Sequence, residues 1–457
     1  MADQISKEER RLIRQKRKKR NRLIAIIVTI VVLAVVGVGG YFGVSTLIKA
    51  IGKGSEETTV EEIEETVAEE PEVIEEEPVI EMTPEIIEEP EITPEPEEPE
   101  QTDEEIMDEM VRSMIAEMTL EEKVAGIFIV SPEQLTKQDN VQKAGDGTKT
   151  ALEQYPVGGI IYSKKNFKNK DSVTELIANT SSYSRYPLFI AIREEGGKAS
   201  ELQAALKLDK TSSAKELAAA ENSSATFDSY YSIGAYLKEY GFNLDIAPVA
   251  DVLTNPANTS IGDRSFGDDA TAVASNVTAG IGGLKEAGIT SCISHFPGQG
   301  NANGDPNQSM CSTDKTKADM DSCELIPFRA AIDEGVEMIM VGNFAAPELT
   351  GDNLPCTFSK AISTELLRDE MGYDGIIITD ALNAKCISDY YGADEAAIKA
   401  IKSGVDMILL PEDFELAYSG VIEAINEGTI DIRRIDDALA RIYKVKYKDT
   451  LVSSSEE

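Results

Sequence analysis

Eight short runs of β-branched and other apolar residues, spaced between positions 124 and 410, limit the fold of this chain more than any other feature. Segments with helical periodicity, such as 214–240 and 395–402, follow the runs. Strands without polar alternation are buried on both faces, as in a parallel sheet. Eight such alternations predict an α/β fold of the (β/α)8 TIM-barrel type. The runs are 124–130, 159–162, 188–192, 244–249, 290–293, 338–341, 375–379 and 407–410.

A doubly wound sheet has a similar alternation, but its dinucleotide-binding form opens with a glycine-rich turn after the first strand. Here the first run is followed by Ser131-Pro132-Glu133-Gln134, which favours the barrel. Barrel chemistry lies at the carboxyl ends of the strands, so polar residues at those ends are the first candidates for a site. They are Arg193, Asp251, His295, Asn343 and Asp380.

The amino-terminal part of the chain differs in composition from the rest, and the net charge of −38 averages over these differences. Residues 1–22 contain ten Lys and Arg, whereas residues 23–44 contain no charged residue. An apolar stretch of this length matches the roughly 20 residues that cross a bilayer core. It exceeds the apolar core of a cleaved signal peptide. We predict a basic cytoplasmic tail at 1–22 and a transmembrane signal anchor at 23–47, with the following chain outside the cell.

Residues 48–105 are rich in Glu and Pro, and residues 54–111 contain no Lys or Arg. Such a segment cannot bury enough apolar surface to offset the entropy of ordering, and its like charges keep it extended. It is predicted to be a disordered acidic stalk, with binding of cations or of a basic wall polymer as the alternative to a plain spacer. Residues 106–449 then form the barrel, and residues 450–457 a disordered tail.

The cysteines predict neither a disulfide framework nor a metal site, because they are irregularly spaced and include no CxxC pair. A disulfide between Cys311 and Cys323 is the alternative to scattered buried thiols, which the odd count favours. No nucleotide motif or set of metal ligands is found, so no cofactor or metal is predicted. The basic cluster at 16–20 is interpreted as a topology signal, so no nucleic-acid partner is predicted. The five cysteines are Cys292, Cys311, Cys323, Cys356 and Cys386.

Several motifs resemble those of glycoside hydrolase family 3, and in particular of its bacterial β-N-acetylglucosaminidases (β-N-acetylhexosaminidases). Ser294-His295-Phe296-Pro297-Gly298-Gln299-Gly300 is similar to the family's Lys-His-Phe-Pro-Gly-His-Gly. Ile192-Arg193-Glu194-Glu195-Gly196-Gly197 is similar to its Ile-Asp-Gln-Glu-Gly-Gly. The resemblance covers nearly all of the barrel. Further matches, in the order of the family, lie at 118–124, 158–162, 247–251, 261–267 and 375–382.

The resemblance implies roles for three residues. Asp380 would be the nucleophile of a retaining glycosidase, unless it caps the next helix or pairs with a basic neighbour. Arg264 would contact the sugar, with an internal ion pair to Asp263 or Asp268 as the alternative. His295, the only histidine of the chain, would form a hydrogen bond with the sugar, or else be a satisfied core residue.

The position of the catalytic acid departs from the family pattern. In the family, the loop after the histidine motif ends in Asp-Ser-His, and the aspartate orients the histidine that protonates the leaving oxygen. This chain has Asp305-Pro306-Asn307. An amide cannot protonate a departing alkoxide, and loss of general acid–base help lowers rates by roughly 10²- to 10⁴-fold. Asp305, Glu194 and Glu195 are candidates for a substitute acid whose pKa is raised by burial.

Further substitutions lie in the predicted sugar-binding pocket. The lysine of the family motif is Ser294, its aspartate after the third strand is Arg193, and its arginine eight residues later is Glu201. The signs of the last two are exchanged, so an Arg193–Glu201 ion pair with reversed donors is expected. Asp251 completes the predicted sugar contacts. Asn343 stands where a histidine is expected.

Two functions are compatible with these residues. One is a membrane-anchored extracytoplasmic hydrolase of β-N-acetylhexosaminidase type that acts on N-acetylglucosamine-containing wall glycans or muropeptides. The other is a catalytically impaired family member that binds or scaffolds wall glycan. Retention of Asp380, Arg264 and Asp305 favours the first function, and loss of the acid favours the second.

Overall fold

The protein is described by a computed structural model that covers residues 102–220 and 222–452. Eight parallel strands form one sheet in the order β7-β6-β5-β4-β3-β2-β1-β8. A parallel bridge between Ile378 in β7 and Met407, next to β8, closes the barrel. All eight predicted strands are present, which confirms the TIM-type barrel. The strands are β1 Phe128–Val130, β2 Gly159–Ile161, β3 Phe189–Ile192, β4 Leu244–Asp245, β5 Thr290–Phe296, β6 Met338–Val341, β7 Ile376–Thr379 and β8 Ile408–Leu409.

Helices connect the strands, and their apolar faces pack against the barrel. Side chains at their amino-terminal ends, such as Thr119, Ser213 and Thr316, accept hydrogen bonds from the first helical turn. The helices are α1 Asp103–Glu117, α2 Leu120–Gly126, α3 Pro132–Thr136, α4 Asp146–Gln154, α5 Lys170–Tyr183, α6 Glu201–Leu206, α7 Ala214–Ala218, α8 Ser223–Tyr240, α9 Ala270–Glu286, α10 Lys317–Ser322, α11 Ile326–Asp333, α12 Pro347–Thr350, α13 Ala361–Glu370, α14 Lys385–Ser388, α15 Ala393–Ser403, α16 Phe414–Asn426 and α17 Ile432–Val452.

Three predicted element boundaries are wrong. Residues 124–126 end helix α2 and do not begin a strand, because the capping box of Thr119 and Glu122 starts a helix that continues to Gly126. The fourth strand is only Leu244–Asp245. The predicted helix at 214–240 is two helices, since the side chain of Asn222 caps a new start by accepting a hydrogen bond from Ser224.

The ends of the barrel domain also extend further than predicted. Helix α1 begins at Asp103, where Thr102 and Glu105 form a capping box, so residues 103–105 are helical although they were assigned to the stalk. Helix α17 includes residues 450–452, which were assigned to the tail. In the described ranges, no helix has the length and apolar character that a membrane span requires. The predicted anchor at 23–47, the basic tail and the stalk up to residue 101 lie outside those ranges.

A buried ion cluster at the amino-terminal side of the strands ties two helices to the barrel. Asp406 is fully buried and accepts hydrogen bonds from Arg368 in α13 at 2.7 Å and from Arg434 and Arg441 in α17, both at 3.1 Å. Its carboxylate also accepts a hydrogen bond from Ile377 N at 3.0 Å. Because a buried carboxylate is costly without partners, the three arginines stabilise this arrangement.

The five cysteines are all free thiols, including Cys311 and Cys323. Burial raises the pKa of the Cys311 thiol to about 12, and the nearby charges of Asp305 and Asp380 contribute to the shift. A thiol with so high a pKa is protonated and therefore unreactive at neutral pH.

Candidate active site

Strand β5 carries His295 to the carboxyl end of the barrel, where its ring is fixed by Asp251. His295 is 7% exposed, and its Nδ1 atom lies 2.7 Å from Asp251 Oδ2. The other oxygen of Asp251 accepts a hydrogen bond from Gln299 N at 2.6 Å. Asp251 is fully buried with both oxygens engaged, so it orients His295, and its predicted contact with a sugar stays a prediction. With Nδ1 engaged, Nε2 is the ring nitrogen that remains for a ligand.

Arg264 follows a tight turn after Gly262 and forms a bidentate ion pair with Glu195. Its Nε and Nη2 atoms donate to the two carboxylate oxygens of Glu195, each at 2.7 Å, and Nη1 donates to Ser260 O at 3.1 Å. The alternative of an ion pair with Asp263 or Asp268 is wrong, since the partner is 69 residues away in the β3 loop. The Arg264 side chain is 23% exposed, and all three of its guanidinium nitrogens donate hydrogen bonds within the protein.

Asp380 directly follows strand β7 and is partly exposed. Its Oδ1 atom accepts a hydrogen bond from Ala381 N at 2.7 Å. Asp380 does not cap the next helix, because the residue at the N-cap of α14 is Ala384. It also forms no ion pair with any residue of the described ranges. Burial lowers the pKa of Arg264, but the charges of Glu195, Asp251 and Asp380 outweigh this effect and raise it. The charge of Asp380 thus adds to those of Glu195 and Asp251 in favouring the protonated form of Arg264.

The loop that should carry the catalytic acid lies against the loop that carries Asp380. Pro306 O accepts a hydrogen bond from Cys386 N at 3.1 Å. Burial raises the pKa of Cys386, and the charges of Asp380 and Asp305 raise it further, so both carboxylates lie near this thiol. Asp305 Oδ1 accepts hydrogen bonds from the backbone N of Asn307 at 2.9 Å and from its side-chain amide at 3.1 Å. Asn307 is thus held by Asp305, as the resemblance implies for the family's histidine.

Two of the three candidate substitute acids have structural roles. Glu194 is fully buried, and its carboxylate accepts hydrogen bonds from Leu202 N at 2.9 Å, Gln203 N at 3.0 Å and Tyr236 Oη at 2.9 Å. Burial raises the pKa of Glu194, but its carboxylate is directed at the start of α6 and not at the mouth of the barrel. Glu195 is only 3% exposed and holds Arg264. Of the three candidates, only Asp305 is partly exposed.

Arg193 and Glu201 form the expected ion pair, with Nη2 of Arg193 donating to Oε1 of Glu201 at 3.2 Å. The Arg193 side chain is 47% exposed and that of Glu201 is 25% exposed. The pair therefore lies at the surface of the β3 loop, where solvent screens its charges. Oε2 of Glu201 accepts a second hydrogen bond, from Lys164 N at 2.9 Å.

Several buried polar atoms near these residues have no hydrogen-bond partner in the described protein. They are Ser294 Oγ, Gln299 Oε1 and Asn343 Oδ1, in side chains that are at most 3% exposed. Asn343 also donates to Ala381 O at 2.9 Å, beside Asp380. Unsatisfied buried polar groups are destabilising, so these three side chains carry an energetic cost in the structure. The sequence interpretation missed Gln299, although it occupies the second histidine position of the family motif.

The site has no evident metal-binding group. Within the described ranges, no cluster of three or more His, Cys, Asp and Glu side chains could hold a metal ion.

Comparison with known proteins agrees with this architecture. Residues 119–445 match the model of the glycosyl hydrolase family 3 N-terminal domain. The chain is 29% identical over 327 residues to beta-hexosaminidase A of Pseudoalteromonas piscicida, covering 65% of this chain and 54% of that protein. It is 30% identical over 316 residues to beta-hexosaminidase LpqI of Mycobacterium tuberculosis, covering 67% and 79%.

Solved structures show the same similarity. The family 3 β-N-acetylglucosaminidase from Paenibacillus sp. str. FPU-7 is 31% identical, with a TM-score of 0.68 over 72% of this chain and 62% of that one. The chain thus spans only about half of the Pseudoalteromonas protein and less than two thirds of the Paenibacillus chain. Through its barrel, this chain belongs to glycosyl hydrolase family 3.

Proposed function

We propose that the protein is a retaining glycoside hydrolase of β-N-acetylhexosaminidase type. The observation that carries this proposal is Asp380, a partly exposed carboxylate at the carboxyl end of β7 that accepts a hydrogen bond from Ala381 N and has no ion-pair partner in the described residues. The names of the relatives, beta-hexosaminidase and β-N-acetylglucosaminidase, support the substrate class.

The residues present supply a nucleophile for the reaction, but the family's proton donor for the leaving oxygen is missing. Asp380 attacks the anomeric carbon, the bond to the leaving oxygen breaks, and a covalent glycosyl-enzyme forms. Water then attacks the same carbon and releases the sugar and the carboxylate. The leaving oxygen needs a proton in the first step, and Asp305 is the candidate acid nearest to the family position. Because Asn307 supplies none, we expect slow turnover when the leaving group is a sugar alcohol.

The second candidate function is binding of wall glycan without efficient turnover. The Asp305–Asn307 contact favours it, since an amide occupies the acid position. The two functions differ in one observable, the formation of a glycosyl-enzyme on Asp380.

Trapping of that intermediate tests the proposal. The full-length protein is incubated with 5-fluoro-N-acetylglucosaminyl fluoride, whose good leaving group needs no acid, and the peptides are analysed by mass spectrometry. We expect one added sugar on the peptide that contains Asp380 and none in Asp380→Asn. As a matched control, Asp374→Asn changes an exposed aspartate before β7 and should still be labelled. An unlabelled parent that binds N-acetylglucosamine would support the binding function instead.

We further propose that residues 23–47 anchor the protein in the cell membrane, with the barrel outside and N-acetylglucosamine-containing wall glycans or muropeptides as substrates. The ten basic residues of 1–22 and the uncharged stretch 23–44 support this orientation. External protease added to intact cells should release a folded fragment that begins near residue 102 and leave the basic end protected. Release of that fragment only after cell lysis would contradict the proposed orientation.

A further inference from the structure

We propose that Arg193 and Lys164 form an anion-binding subsite beside the candidate active site, and that this subsite takes a carboxylate carried by the sugar substrate. The inference rests on the proposed function, because it assigns a charged substituent to the substrate of the same site.

A single carboxylate joins the two basic residues. Glu201 accepts a hydrogen bond from the Arg193 guanidinium through Oε1, at 3.2 Å, and from the main-chain nitrogen of Lys164 through Oε2, at 2.9 Å. The loops after β2 and β3 therefore meet at Glu201. The Arg193 guanidinium and the Lys164 main chain are thus both within hydrogen-bonding distance of one carboxylate.

The main chain on both sides of this surface is fixed by hydrogen bonds. In the β2 loop, Asn166 is 1% exposed, accepts from Ser163 N at 2.9 Å and donates to Val141 O at 2.9 Å. In the β3 loop, Glu201 N donates to Arg193 O at 3.3 Å. A ligand would thus bind to a preorganised backbone, which reduces the entropy lost on binding.

The balance of charge at this surface is positive. Arg193 and Lys164 carry two positive charges and Glu201 carries one negative charge, in a chain whose net charge is −38. Arg193 is 47% exposed, and its only ion pair in the described ranges uses one nitrogen. Lys164 is exposed and forms no ion pair with any residue that the structure describes. The adjacent Lys165, in contrast, is paired with Glu133. The unused guanidinium donors match the geometry of a carboxylate.

The surface lies next to the residues that hold the proposed reaction centre. Arg193 precedes Glu195 by two residues, so their Cα atoms are at most about 7 Å apart. Glu195 in turn holds Arg264, and Arg193 and Asp380 both follow the carboxyl ends of barrel strands, β3 and β7. At position 193 the family pattern has an aspartate, which would repel an anionic substituent. Arginine at this position therefore favours a carboxylate-bearing substrate in this chain.

Titration of matched sugars by calorimetry tests the subsite on the full-length protein. The probes are N-acetylglucosamine, N-acetylmuramic acid, its methyl ester and N-acetylglucosaminuronic acid. The two acids place the carboxylate on O3 through a lactyl ether or at C6, and the ester retains the lactyl group without its charge. We expect one acid to bind at least roughly tenfold more tightly than N-acetylglucosamine and the ester, because charge-assisted hydrogen bonds are stronger than neutral ones. The acid that binds more tightly identifies the position of the carboxylate.

Arg193→Gln and Lys164→Gln should each remove most of this preference, whereas Lys402→Gln, which removes an exposed lysine from α15, should retain it. Equal affinity of the parent for all four sugars, or an unchanged preference in Arg193→Gln, overturns the subsite. Hydrolysis of neutral 4-nitrophenyl N-acetyl-β-glucosaminide by the parent depends on the proposed function alone. Selective binding of an acid without such hydrolysis would contradict the proposed hydrolase function and would still support the anion-binding subsite.

Discussion

Asn307 donates two hydrogen bonds to the same oxygen of Asp305, from its backbone nitrogen at 2.9 Å and from its side-chain amide at 3.1 Å. The loop is held against the Asp380 side of the site by the hydrogen bond from Cys386 N to Pro306 O. The position that the family pattern gives to a proton donor is therefore in place, with a side chain that cannot supply the proton. Under the proposed function, we therefore expect protonation of the leaving oxygen, and not attack by Asp380, to limit the rate.

Asn307→His should raise the rate on substrates with poor leaving groups by roughly 10²-fold or more, because Asp305 is already placed to orient an imidazole. The rate on nitrophenyl substrates should change little, since their departure needs no proton. Gln308→His introduces the same side chain at the next exposed position and serves as the control. An equal gain in both variants would mean that the histidine acts through solvent and not through the Asp305 contact.

The Arg193–Glu201 pair should contribute little to stability. Because its side chains are 47% and 25% exposed, we expect Arg193→Ala to lower the free energy of unfolding by less than about 1 kcal/mol in urea denaturation. The exchange Arg193→Asp with Glu201→Arg should fold and should bind N-acetylglucosamine more tightly, as the family pattern implies. A loss above about 2 kcal/mol for Arg193→Ala would show that the pair is effectively buried.

The Asp406 cluster, in contrast, should contribute strongly to the free energy of unfolding. Asp406→Ala leaves Arg368, Arg434 and Arg441 without their buried partner and should cost about 3–5 kcal/mol in the same assay. Asp228→Ala removes an exposed aspartate from α8 and should cost much less. Similar losses in the two variants would show that burial of Asp406 has no special energetic role.

Asp245 should make stability fall as pH rises. Burial raises the pKa of its carboxyl well above the ordinary value, and the charges of Glu194 and Glu195 raise it further. The folded state then keeps a proton that the unfolded state loses near pH 4. The contribution of Asp245 is therefore fully present below the unfolded pKa and is lost as pH rises through the folded pKa, by up to about 1.4 kcal/mol per pH unit.

Asp245→Asn should remove this dependence, because an amide oxygen can still accept the hydrogen bond that Glu194 N donates at 2.9 Å. The measurement is the difference in free energy of unfolding between parent and variant across the acidic and neutral range. The variant should gain stability relative to the parent as pH rises. A constant difference would contradict protonation of Asp245 in the folded state.

The barrel could be predicted from the sequence because each strand is a short apolar run whose burial on both faces leaves a local pattern. The start of the first strand could not be predicted correctly, because residues 124–126 are apolar but belong to the helix that the capping box of Thr119 and Glu122 begins. The strand ends likewise predicted where Asp380 and His295 would lie. The partner of Arg264 was not predictable, because Glu195 lies 69 residues earlier and spacing does not report contacts between loops. The hydrogen bonds of Asp251 with Gln299 N and of Glu194 with the start of α6 were not predictable for the same reason.

The most direct test of the account is the dependence of kcat/KM on the acidity of the leaving group. The substrates are aryl N-acetyl-β-glucosaminides that range from acidic nitrophenols to weakly acidic alkyl phenols, with N-acetylglucosamine-containing disaccharides as the natural extreme. We expect a steep fall in kcat/KM along this series for the parent, a much shallower fall for Asn307→His, and no activity for Asp380→Asn. A parent enzyme that hydrolyses aryl glycosides and disaccharides at similar rates would show that another acid protonates the leaving oxygen, and would contradict the account.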